Sequence, residues 1–66
     1  MNGDPLTPGQ LVNDLLEERG WSQRVLAVIL GVEETIVNKI VSGKRPVDAP
    51  MAIVLGEAFG VEPERF

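Results

Sequence analysis

Four glycines, Gly20, Gly31, Gly43 and Gly60, cut the sequence into apolar-periodic segments of short-helix length, and this punctuation constrains the fold more than any other feature. Ahead of the first stop, Thr7-Pro8-Gly9-Gln10 reads as a capping box with proline in the first turn, Thr7 accepting from an orphan backbone N–H and Gln10 reaching back. Leu6 and Leu11 pair as a hydrophobic staple. Leu11, Val12, Leu15 and Leu16 then recur on one face, with Asn13, Asp14, Glu17 and Glu18 on the other, which predicts a helix from about Pro8 to Arg19. Ser22 is a good N-cap for a second helix over Gln23 to Leu30, closed by Gly31.

The helical period resumes in Ile36, Val37, Ile40 and Val41, predicting a third helix, Glu34 to Val41, that Ser42-Gly43 closes. Lys44-Arg45-Pro46-Val47 is a basic connector, because Pro46 resists helix and biases Arg45 toward extended backbone. Asp48 caps a fourth helix with Pro50 in its first turn, apolar positions at Met51, Ile53, Val54, Leu55, Ala58 and Phe59, and a stop at Gly60; Gly56 inside it reads as a small propensity cost. Glu62 to Phe66 reads as the first turn of a fifth helix, so the chain is expected to continue or to be truncated after residue 66. No apolar run fits alternating spacing better than helical, and the expected class is all-α: one compact bundle of four to five helices over 1–66, with 1–6 a flexible N-terminus.

Sixty-six residues hold one domain with a small core. A hydrophobic content of 44% and a charged content of 24% disfavour disordered, collagen-like and membrane classes. No apolar run approaches the ~18 residues of a spanning helix, and no basic stretch precedes an apolar one after Met1, so no membrane partner is expected and a cytoplasmic location is. Without cysteine or histidine, disulfides, thiolate chemistry and the commonest zinc sites fall away. The ten acidic residues are scattered without pairing, and neither an enzyme nor a cofactor is expected. The net charge of −4 argues against a nucleic-acid partner until it is followed along the chain. Gly20 to Pro46 holds four basic residues against two acidic, a net +2, while the remainder carries −6.

That basic stretch contains two short helices across a tight Gly31-Val32 turn, the arrangement that sets a DNA-reading helix-turn-helix unit over residues 22–41. In such a unit the second helix enters the major groove. Thr35, Asn38 and Lys39 share one face of it with Glu34 at its tip, while Val32, Ile36 or Val37, and Ile40 turn inward. Asn38 can bond an adenine edge at two points, Thr35 offers hydroxyl or methyl, and Lys39 reaches guanine or phosphate. Gln23 sits where a helix's first turn meets a phosphate, and Arg24, Lys44 and Arg45 add positive charge for backbone contacts.

The stretch WSQRVLAVILGVEETIVNKIVSGKRPV resembles the Xre/Cro-type helix-turn-helix family, whose usual wording is close to SQ..LA..LGVS...V..I.NGKRP. Around it, PGQLVNDLLEERGWSQ and MAIVLGEAFGVEPERF are similar to the antitoxins of HigA-type toxin–antitoxin modules, the plasmid-maintenance antidote proteins. The likeness covers about Thr7 to Phe66 without gaps. It implies a lambda-repressor-like fold and a sequence-specific transcriptional regulator, an antitoxin-like autorepressor. The implied partners are double-stranded operator DNA, a homodimer mate and a toxin, with half-sites about one helical turn (~34 Å) apart. Similar domains also begin longer proteins that carry a further effector module.

Two departures bear on function. Family members commonly have Ser and Arg or Gln where this chain has Glu33 and Glu34, so carboxylates crowd the tip of the reading helix; they either weaken DNA binding or make Glu34 an acceptor for a cytosine amino group. Val25, Val28 and Ile29 replace residues usually polar, forming a second apolar stripe beside the Leu26, Ala27 and Leu30 core face, and Val54 adds to it. Such a stripe invites a dimer mate, a toxin or a further domain. An alternative therefore stands beside the regulator: the same scaffold used as a protein-interaction or oligomerisation module. Trp21 is expected as a packed or helix-end aromatic.

Overall fold

Three helices start where a side chain satisfies one of their first orphan N–H groups. The structure, a computed structural model, describes residues 7–66 and contains α1 (Pro8–Arg19), α2 (Gln23–Leu30), α3 (Glu34–Val41) and α4 (Ala49–Phe59), followed by a 3-10 turn at Pro63–Arg65. Thr7 accepts from the Gln10 backbone at 3.1 Å while the Gln10 side chain accepts from Thr7 N–H at 3.0 Å, so the predicted capping box forms. Ser22 accepts from Val25 N–H at 3.1 Å and Asp48 from Met51 N–H at 2.9 Å. Each such cap stabilises its helix by about 1 kcal/mol. α3 differs: its N-cap is Glu33, whose side chain makes no capping bond. Leu6, and with it the expected staple to Leu11, lies outside the described residues, as does the expected flexible stretch 1–6.

Gly20, Gly31 and Gly60 end α1, α2 and α4 at φ near +70°, where a side chain would be strained. The following residue, Trp21, Val32 or Val61, bonds back to Leu16, Ala27 or Gly56 at 2.9–3.0 Å and packs against the core. These three reversals stack the helices. Leu11, Val12, Leu15 and Leu16 of α1, Leu26 and Ala27 of α2, Val37 and Ile40 of α3, and Leu55 and Phe59 of α4 are buried together. Among the described residues no polar or charged residue is buried and none forms a strand. No described helix is long and apolar enough to cross a membrane.

Gly56 is more than a propensity cost. A Cβ there would stand 2.6 Å from the Val61 carbonyl oxygen, so the missing side chain is what lets the chain fold back over α4 after Gly60. Gly9 does the same for α1, where a Cβ would meet the Ile40 and Val41 carbonyl oxygens at 2.3 and 2.9 Å. The expected fifth helical turn is a 3-10 turn, Pro63–Arg65. Trp21 stacks on Phe59 with ring centroids 5.5 Å apart, and the Arg19 guanidinium lies over both rings and donates to the Phe59 carbonyl oxygen, tying the ends of α1 and α4.

Candidate nucleic-acid interface

Gly31, Val32 and Glu33 connect α2 to α3, and the pair shares a buried seam in which Leu26 and Ala27 face Val37 and Ile40, with Val32 and Ile36 partly buried beside them. The seam fixes what remains outside. Glu34, Thr35, Asn38 and Lys39 are all exposed, so the polar flank of α3 points outward from the body.

Gln23 and Asn38, fifteen positions apart, meet across the two helices: Asn38 Nδ2 donates to Gln23 Oε1 at 3.4 Å. A contact this long orients both amides without locking either. Thr35 donates its hydroxyl to Glu33 Oε1, also at 3.4 Å.

Beyond α3 the chain wraps its own helix end. The Ser42 hydroxyl and the backbone N–H groups of Lys44 and Arg45 all converge on the Lys39 carbonyl oxygen, at 3.2, 2.9 and 3.2 Å. Gly43, at φ +81°, makes the reversal possible. Lys44 and Arg45 are thereby held just past the C-terminus of α3, both exposed.

The one ion pair among the described residues joins Arg19 to Glu18 at 3.1 Å. None of Arg24, Lys39, Lys44 and Arg45 is engaged by a described carboxylate, and their charge is available to an anionic partner. Glu33 and Glu34 stand at the N-terminal end of α3, the positive end of its dipole. Among the described residues no cluster of His, Cys, Asp and Glu could hold a metal ion.

The predicted apolar stripe is present on the outer face of α2: Val25 and Ile29 are exposed and Val28 keeps 74% of its surface in contact with solvent. On α4, Val54 is exposed as expected, and so is Ile53 at 51%, an apolar position that periodicity alone does not place outside the core. Met51, Leu55 and Phe59 recur every four residues and already fill the inward face of α4, a spacing that leaves positions 53 and 54 outside.

A helix-turn-helix family model matches residues 12–66. Among solved structures, the chain is similar to the Pseudomonas aeruginosa antitoxin HigA with the higBA promoter, at 35% identity and a TM-score of 0.83, covering 92% of this chain and 67% of that one. It is similar to a Pseudomonas aeruginosa protein in complex with its operator DNA, at 37% identity and a TM-score of 0.83, covering 92% and 68%. The restriction-modification controller protein C.AhdI from Aeromonas hydrophila is similar at 30% identity and a TM-score of 0.79, covering 86% of each chain. The chain thus spans about two thirds of the length of the first two. No curated protein matches it.

Proposed function

The chain belongs to the helix-turn-helix family, and on that premise we propose that it is a sequence-specific DNA-binding transcriptional regulator, an antitoxin-like autorepressor acting in the cytoplasm on the operator of its own operon. One observation carries the reading: Thr35, Asn38 and Lys39 stand exposed on α3 while the opposite side of that helix is buried. The unit that enters DNA is residues 22–41, with α3 in the major groove and α2 against the backbone. Gln23 and Arg24 at the start of α2 and Lys44 and Arg45 after α3 contact phosphates, positioning the domain without reading sequence. Glu34, Thr35, Asn38 and Lys39 face base edges.

The solved relatives include an antitoxin with its promoter and a protein with its operator, which supports the same ligand here. The exposed Val25, Val28, Ile29 and Val54, joined by Ile53, are the surface for a protein partner, a dimer mate first and a toxin second. No chemical step or cofactor enters this function.

The acidic tip favours one rival, a scaffold whose Glu33 and Glu34 exclude DNA and whose valines bind another chain. Titrating the protein against random duplex at falling ionic strength separates the two. A regulator shows nonspecific affinity that rises steeply as salt is lowered. An interaction module shows none at the lowest salt tested.

A further inference from the structure

What the start of α3 can read depends on which of its atoms donate and which accept, and the inventory there is one-sided. Glu34, the first residue of the helix, is exposed, and among the described residues its carboxylate makes no hydrogen bond or ion pair. A carboxylate can only accept. Thr35 turns its hydroxyl proton toward Glu33, leaving lone pairs and a methyl group outward. Asn38 turns one N–H toward Gln23, which leaves its carbonyl oxygen and a second N–H. Lys39 is the one pure donor on this face, four residues further along α3 than Thr35.

In the major groove the cytosine amino donor has an acceptor on one side only, the O6 of its paired guanine, and C5–H on the other, adenine's amino donor lies between its own N7 and the O4 of its paired thymine, and guanine and thymine present acceptor oxygens. A carboxylate set against guanine or thymine finds no proton and meets repulsion. Set against adenine, one of its oxygens faces N7. Cytosine alone offers a donor without that penalty, whereas the remaining donor and acceptor of Asn38 match the adenine pair.

We propose that Glu34 is a specificity-determining residue that requires cytosine at the operator position beneath the N-terminus of α3, beside an adenine read by Asn38. The proposal rests on the DNA-binding reading above. It gives the acidic tip a double effect, because the same carboxylate that accepts from one base repels phosphates everywhere else. Glu34 lowers affinity for random duplex and raises selectivity.

The test is selection from a random duplex pool with the wild-type chain, Glu34→Gln and Glu34→Ala, alongside the affinity of each for unselected duplex in the same buffer. The wild type enriches a site with cytosine at one position, where any other base weakens binding roughly tenfold or more. Both variants lose the demand for cytosine, Glu34→Gln shifting toward adenine and Glu34→Ala toward indifference, and both keep the rest of the site and bind unselected duplex more tightly. The retained remainder of the site reports that the variants are folded. The proposal is overturned if the variants still demand the same G·C pair, or if the pair that depends on Glu34 is A·T. A wild-type chain that binds no duplex overturns the regulator reading itself, and an enriched site indifferent to Glu34 overturns this proposal alone.

Discussion

Asn38 and Lys44 are both exposed and polar, yet the proposed function gives them different work. Asn38 lies on the outward face of α3 against Gln23, and Lys44 is strapped beyond the helix end by the Lys39 carbonyl. Asn38→Ala is expected to relax preference at one base pair at a cost of about 1–3 kcal/mol. Lys44→Ala is expected to weaken all duplexes alike and to lower the salt slope by about one. Binding isotherms on matched and mismatched duplexes at several salt concentrations distinguish the two. Gly56 sets propensity against packing. As a helix-interior glycine it should gain from Gly56→Ala by up to about 1 kcal/mol. The Val61 carbonyl oxygen, 2.6 Å from where the new Cβ would stand, says the reverse. Overpacking of this kind costs about 1–3 kcal/mol, so thermal unfolding should show Gly56→Ala melting several degrees lower. A higher melting temperature would contradict the contact. The sequence alone could not reveal this role, because it depends on a backbone five residues away that has first been turned by Gly60.

Helix boundaries were legible because their causes are local. Thr7 with Gln10, Ser22 and Asp48 act within their own first turns, and Gly20, Gly31 and Gly60 act at the next residue, so the limits of α1, α2 and α4 follow from short windows. Less local facts were not. That Gly9 must lack a side chain depends on α3 crossing α1 there, and the exposure of Ile53 depends on which face of α4 the core occupies. The outward flank of α3 was readable for the local reason again, since Val37 and Ile40 leave Thr35 and Asn38 on the far side. α3 is also the one α-helix among the described residues whose N-cap offers no side-chain bond. Glu33→Ser should supply it and raise stability by about 1 kcal/mol. Removing that carboxylate should also strengthen binding to random duplex. An unchanged melting curve would show that the α3 start does not limit stability.

At the scale of the whole molecule, a small core and a polarised charge divide the surface between two kinds of partner. The stretch from Gly20 to Pro46 carries +2 within a chain of net charge −4, so α2, α3 and the basic turn after them attract phosphate while the rest repels it. Val28, 74% exposed, belongs to the surface proposed for protein contacts. Val28→Lys should lower any concentration-dependent rise in mass seen by sedimentation while the monomer stays folded, and an unchanged association profile would remove α2 from the interface. The proposed function rests on α3 reading bases with its polar flank. The most direct measurement is the ratio of affinities for a selected site and for random duplex, in the wild type and in a variant with Thr35, Asn38 and Lys39 all changed to Ala. The account predicts that this ratio, on the order of a thousandfold or more in the wild type, collapses toward unity in the variant while its melting temperature stays close to that of the wild type. A triple variant that still selects the same site with the same ratio would contradict it.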